Sequence, residues 1–174
     1  MMAGSHLDGG NCIVRDWALA DKPSLLRLAD NRNVWRNLTH RFPHPYTDAD
    51  AESWLALLAA KSRRTNWAIE VDGLAVGGIG MDPGEGVYAK TARFGYWLGE
   101  PYWQRGIMTA AVRATAEFIF ANSEIVRLEA PVFEWNPPSM RVLEKCGFIR
   151  EGVLRKGVEK DGQIIDVVMY ALLR

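Results

Sequence analysis

Cysteine is scarce in this 174-residue chain, and Cys12 and Cys146 are the whole supply. Thiols so far apart in sequence offer neither metal-ligand spacing nor a disulfide framework. Both sit beside apolar residues, so reduced, buried thiols are expected. Histidine is also rare. His6, His40 and His44 are too dispersed for a zinc site, and no bound metal is expected. Excess charge of either sign is missing, with 21 basic against 21 acidic residues. That balance removes any bulk electrostatic case for nucleic acid or an anionic membrane as partner. No apolar run approaches the roughly 20 residues of a membrane span. The Gly/Ser-rich residues 1–11 lack the apolar segment of a signal peptide, so the expected location is cytoplasmic. Two nucleotide loops are absent as well: neither Gly-x-x-x-x-Gly-Lys-Ser/Thr nor Gly-x-Gly-x-x-Gly occurs.

Core material, by contrast, is plentiful. Apolar residues make up 48% of the chain, with seven Trp, and at this length folding buries roughly two-thirds of the unfolded surface. The reading is a flexible tail over 1–11 and one domain over 12–174, without repeat or linker. Residues 12–20 read as a strand. Asp21 is placed to cap a helix with Pro23 in its first turn, and Leu25, Leu28 and Ala29 share a face. The run from His40 to Tyr46, with Pro43 and Pro45, cannot continue a helix. Thr47 starts a second helix, in which Ala51, Trp54, Leu55 and Leu58 form an apolar stripe.

Strands over 66–71 and 74–81 flank Asp72-Gly73, a pair that tolerates the positive φ of a hairpin turn. Next come a strand over 92–98, a helix over 106–121 and a strand over 125–133. A helix over 136–146 follows, capped by Asn136, opened by Pro137 and stopped by Gly147. Strands over 148–154 and 164–172 turn at Asp161-Gly162. The order is β-α-α-β-β-β-α-β-α-β-β, an α/β chain with a mixed sheet flanked by helices.

The stretch Phe94 to Val112 carries the chemistry. A strand ends at Leu98, a polar loop follows, and Gly106 opens a helix. A helix start leaves N–H groups without partners and carries about half a positive charge, an arrangement that suits phosphate. Arg105 adds a full charge, and Gly106 removes a side chain where a ligand would approach. The same pattern also fits a glycine that merely permits a turn.

Tyr96-Trp97-Leu98 followed by Tyr102-Trp103-Gln104-Arg105-Gly106-Ile107-Met108-Thr109 resembles the coenzyme A segment of the GNAT N-acetyltransferase superfamily. Within it the likeness is to the RimJ/RimL-like branch, which includes ribosomal-protein N-terminal acetyltransferases. Asn136-x-x-Ser139 leading to Leu143-Glu144-Lys145-Cys146-Gly147-Phe148 is similar too. So are Phe42-Pro43-x-Pro45-Tyr46, Glu151-Gly152-x-Leu154-Arg155 and Asp166-x-x-x-Tyr170, and the resemblance covers residues 12–174. The superfamily's pyrophosphate motif is Arg/Gln-x-x-Gly-x-Gly/Ala. Here Gly106 is kept, while Trp103 and Met108 fill the outer positions, as in the branch. Main-chain N–H groups must then carry recognition.

The resemblance implies a GNAT fold with a central, mostly antiparallel mixed sheet. It also implies direct acetyl transfer from acetyl-CoA to a primary amine, either a protein N-terminal α-amine or a small molecule, by a monomer or homodimer. Coenzyme contacts are implied for Trp97, Leu98, Gly99, Gln104, Arg105, Gly106, Ile107, Met108, Thr109, Asn136 and Ser139. Main chain near Trp97 and Leu98 would stabilise the oxyanion. Many relatives place a proton-donating Tyr seven residues after Asn136, where this chain has Leu143. The branch pattern points instead to Ser139, which equally fits a capping residue. An amine with a pKa of about 10.4 must also lose a proton. Glu134 is the favoured base among Glu70, Glu100, Glu129, Glu134 and Asp166. Trp35, Phe42, Tyr46 and Trp54 fit either an aromatic wall over the acceptor or ordinary packing. The Lys61–Arg64 run reads as a solvated helix end. The missing Tyr also admits an alternative, a coenzyme A-binding regulator without catalysis.

Overall fold

The computed structural model describes residues 6–62 and 64–174. Near-continuous apolar burial along Asn66–Val71 (β3) and Leu74–Pro83 (β4) builds the middle of a sheet that is covered on both faces. Asp72 and Gly73, both at positive φ, turn one strand into the other. The remaining strands are β1 (His6–Asp8), β2 (Ile13–Arg15), β5 (Thr91–Leu98), β6 (Arg127–Phe133), β7 (Ile149–Lys160) and β8 (Gln163–Leu173). Among the described residues they form one eight-stranded sheet in the order β1-β2-β3-β4-β5-β6-β8-β7. Every neighbouring pair is antiparallel except β5 and β6.

The helices are α1 (Lys22–Ala29), α2 (Arg32–Trp35), α3 (Asp48–Ala60), α4 (Ile107–Asn122) and α5 (Pro137–Lys145). The two core clusters follow them. Leu25, Ala29, Ala51 and Leu55 of α1 and α3 pack with Tyr46. Ile107, Ala111, Val112, Ala116, Ile119 and Leu143 of α4 and α5 join the main cluster with Trp67, Phe94 and Phe148. Trp67 meets Phe118 edge-on at 5.9 Å, and Phe94 stacks on Phe148 at 5.9 Å.

Several expectations change in detail. His6–Asp8 of the expected tail is a strand, because Leu7 pairs with Val14 and packs on the core. The expected strand over 12–20 shortens to Ile13–Arg15 and runs into a 3-10 turn at Leu19–Asp21. Asp21 does not cap α1. Its carboxylate instead takes both guanidinium arms of Arg15 at 2.8 Å and the Ala18 amide at 2.8 Å. Part of the 31–46 break is helical, since the Asn31 side chain accepts from the amides of Asn33 and Val34 and so caps α2. Strand β7 continues past 154 through an irregularity between Leu154 and Val158. There Asp166 Oδ1 accepts the Lys156 amide at 2.7 Å. Asn136 caps α5 as expected, accepting from Ser139 N, and Gly147 ends it at φ 85°.

The middle of the sheet positions the site. Strands β5 and β6 pair only over Thr91–Arg93 and Arg127–Glu129. Beyond that, β5 stays on β4 as far as Leu98 while β6 stays on β8 as far as Phe133. The two strands therefore diverge and leave a wedge.

Both cysteines are free, and each thiol reaches a carbonyl in the first turn of α4: Cys12 to Ile107 O and Cys146 to Thr109 O. Burial, aided by Asp8, pushes the Cys12 thiol from 9.0 up to about 11. Between those values the native state holds more protons than the unfolded chain, so this contribution to stability is lost as pH rises through that window. Cys12→Ala removes it. The stability gap between wild type and C12A, measured by urea unfolding, is expected to shrink between about pH 8 and about pH 10.5. A pH-independent gap would refute this.

Candidate active site

The wedge has three walls. One is the free side of β5. Thr91 O accepts from Gly84 N, and Gly99 N donates to Val76 O, so the odd-numbered residues of β5 bond to β4. By the alternation of an antiparallel ladder, the main-chain groups of Phe94, Tyr96 and Leu98 face the wedge. Such a row can take an extended amide-bearing group as an added strand. Leu98 O is already used by Trp103 Nε1 at 2.7 Å.

The second wall is the start of α4. Gly106 is its N-cap at φ 75°, and no side chain caps the helix. Gln104 also has positive φ, 60°, and such left-handed residues turn successive amides into an anion-binding concavity. Ile107 and Met108 bury their side chains at 2% and 8% exposure. That anchors the first turn while its N–H groups point out of the helix end. Arg105 is exposed and stacks 5.5 Å from the Tyr102 ring centre; its carbonyl accepts from Asn11 Nδ2 at 3.1 Å. Thr109 is half-buried. Gly99 lies apart from this surface, packed under Leu28 with its N–H spent on β4.

The third wall is the start of α5. Asn136 Oδ1 accepts from Ser139 N at 3.3 Å, which leaves the Asn136 amide NH2 for a ligand. Ser139 Oγ lies 2.8 Å from Tyr96 Oη, and that phenol also reaches Ser139 O at 3.3 Å. A hydroxyl pair thus spans the wedge from β5 to α5. Burial raises the Tyr96 pKa, so the phenol stays protonated at neutral pH. Tyr96 carried no role in the sequence reading. The signal was its place beside Phe94 and Leu98 in the alternation of β5.

The candidate bases fare unevenly. Glu100 binds the side-chain amides of Asn31 and Asn33 at 2.7 and 2.9 Å. Glu70 pairs with Arg15, Glu129 with Arg127, and Asp166 holds Lys156 N. Glu134 is exposed just past β6, and among the described residues only its Oε1 is engaged, by Asp166 N at 3.0 Å. Leu143 is fully buried in the core, away from solvent.

Trp97 lies flat against Gly78, where any Cβ would come within 2.7 Å of its indole nitrogen, and meets Phe42 edge-on at 5.5 Å. Trp35 stacks on His44. Trp54 and Tyr46 pack in the α1–α3 core instead of facing the wedge. An open hollow of about 450 Å³ beside Asp82 and Pro83 lies at the other end of β5 and holds none of these groups. Among the described residues no three His, Cys, Asp or Glu are grouped to hold a metal, and no helix is long and apolar enough to cross a membrane.

Comparison with known proteins supplies a family for this arrangement. The acetyltransferase (GNAT) domain model matches residues 11–149. The chain belongs to the GNAT family. A probable N-acetyltransferase, YjcK of Bacillus subtilis, is 43% identical over 84 residues, 48% of this chain and 46% of that protein. The ribosomal-protein-serine acetyltransferase of Escherichia coli is 34% identical over 82 residues, covering 47% and 46%. The chain thus spans about half the length of these curated relatives. Mycobacterium smegmatis RimJ, solved in complex with CoA-disulfide, superposes with a TM-score of 0.82 at 27% identity, over 98% of this chain and 86% of that one. The GNAT fold and the likeness to RimJ/RimL-type proteins are therefore established.

A side chain at Gly106 has room, with only Asn11 Nδ2 at 3.6 Å, so the cost of substitution is the left-handed backbone, about 1–2 kcal/mol. Gly106→Val is expected to leave the fold cooperative while weakening coenzyme A binding at least about tenfold in calorimetry. Unchanged affinity would remove the α4 cradle from the site.

Proposed function

We propose that the protein transfers the acetyl group of acetyl-CoA directly to a primary amine, without a covalent enzyme intermediate. The observation that carries this reading is the uncapped N-terminus of α4 beside the unpaired edge of β5. The amides of Gly106 to Thr109 suit the coenzyme's diphosphate in charge and direction, with Arg105 adding a cation from the loop. The wedge-facing groups of β5 and the Asn136 amide suit the amides of its pantetheine arm. Leu98 N–H, on the same open edge, is the proposed donor to the thioester oxygen, a role worth roughly 3–4 kcal/mol of barrier in comparable sites.

Ser139 is the proposed donor to the departing sulfur. A serine hydroxyl alone is a weak acid, but here it is hydrogen-bonded to the protonated Tyr96 phenol. The pair can steady a thiolate and pass it a proton. Glu134, with one carboxylate oxygen uncommitted, is the proposed acceptor of the amine's proton. This hydroxyl pair also weighs against a coenzyme-binding regulator. Leu143, the residue that prompted that alternative, is core packing at 0% exposure, and donors stand elsewhere. The acceptor class follows from the family only as far as a primary amine, on a protein N-terminus or a small molecule.

A thiol-release screen of N-terminal peptides and small amines tests the activity. Ser139→Ala and Tyr96→Phe are each expected to lower kcat by roughly tenfold or more while coenzyme affinity changes less than about threefold. If turnover is unchanged in both, the hydroxyl pair has no part in the reaction.

A further inference from the structure

The loop that leads into α4 is held by a side chain 94 residues earlier, from the turn between β1 and β2. Within that turn Asp8 Oδ1 accepts from Gly10 N at 2.7 Å, Gly9 N donates to Cys12 O at 2.9 Å, and Gly10 takes a left-handed φ of 89°. Residues 8–12 are thereby folded tightly enough to dock on the start of α4. Gly9 lies so close that a Cβ there would sit 3.4 Å from Ala110 Cβ and 3.0 Å from Cys12 Sγ. The Cys12 thiol reaches Ile107 O at 3.7 Å. Asn11 Nδ2 donates to Arg105 O at 3.1 Å, and only the NH2 end of that amide can face a carbonyl.

Arg105 O and the Gly106 N–H belong to one peptide unit. The unit is planar and trans, so its C=O and N–H point in opposite directions. Holding the carbonyl toward Asn11 turns the Gly106 N–H away from the β1–β2 turn. On its other side Gly106 is fixed by the helix, since Gly106 O accepts from Ala110 N at 3.2 Å. No amide of α4 takes Arg105 O; among the described residues the Asn11 side chain does. Glycine has more backbone freedom to lose than any other residue, so the peptide before Gly106 swings easily unless it is tied. A swung peptide would present its carbonyl oxygen at the mouth of α4, where a bound anion would meet the negative end of a dipole.

We infer that Asn11 is a positioning residue for the diphosphate of the coenzyme. It acts through Arg105 O, keeping the Gly106 N–H turned into the α4 cradle before the ligand arrives. Donors fixed in advance need no ordering on binding, and that raises affinity. The N-terminal segment therefore shares in coenzyme binding although it lies outside the wedge. This inference rests on the reading of α4 as the diphosphate site.

Asn11→Leu keeps the shape of the side chain and drops the donor. It is expected to raise the coenzyme A Kd in calorimetry and the acetyl-CoA KM by about three- to tenfold, with kcat at saturating donor changed less than about twofold. S-acetylpantetheine, an acetyl thioester without the diphosphate, separates positioning from general loosening. The preference for acetyl-CoA over it, read as the ratio of kcat/KM values, is expected to fall by the same factor. Asn11→Asp, whose carboxylate repels both Arg105 O and the diphosphate, is expected to lose more, and Asn11→Gln, which keeps the amide donor, less. Asn11 is exposed, so these variants are expected to unfold at the wild-type urea midpoint. An unchanged coenzyme A Kd in Asn11→Leu, or equal losses with the two thioesters, overturns the inference while leaving coenzyme binding at α4 standing. Wild type that does not bind coenzyme A, or Gly106→Val that binds it as tightly as wild type, removes the underlying reading instead.

Discussion

The site depends on the divided hydrogen-bonding loyalties of two adjacent strands. Strand β5 is held along its length by β4, and β6 by β8, while the two share only a short parallel ladder at their starts. Beyond that ladder the facing edges carry main-chain donors and acceptors that do not pair with each other. Unpaired strand edges are ordinarily a hazard. Here the helices that follow each strand close the gap, so the open edge becomes a slot suited to an extended, amide-rich ligand.

Helix direction completes the slot. Both helices that leave the wedge, α4 after β5 and α5 after β6, begin near its mouth, so their positive ends face the same space. The α4 end is uncapped and glycine-led, and its first turn is pinned by Ile107, Met108, the buried Cys12 thiol and the half-buried Cys146 thiol. The α5 end is capped by Asn136, and that cap brings Ser139 within reach of Tyr96. One end is left able to hold anionic charge and the other holds hydroxyls.

The surroundings of the wedge are built differently, from side chains that cross between distant segments. Glu100 ties down Asn31 and Asn33, Arg32 reaches the β7–β8 turn, Trp97 meets Phe42 edge-on and Trp35 stacks on His44. These contacts join residues far apart in sequence, and no local period announces them. This explains why the carboxylates weighed as bases looked alike from sequence: their differences lie in the partners that tertiary contact supplies.

Local chemistry let the chain announce much of itself. Asp72-Gly73 and Asp161-Gly162 mark turns, Asn136-Pro137 and Gly147 bracket a helix, and Gly106 opens another. Each acts through a few neighbouring backbone angles, so most of the element order and the glycine-led loop before α4 could be read directly. Short edges were less legible. Asp21 looked like a cap until Arg15, six residues earlier, claimed it, and His6–Asp8 became a strand only because Val14 was there to pair with. What the fold alone decided was which strands part company, that Tyr96 meets Ser139, and that Arg32 reaches Asp161 at the β7–β8 turn. Those outcomes depend on non-local hydrogen bonds and charge pairing, which exist only once the sheet has brought its two halves together.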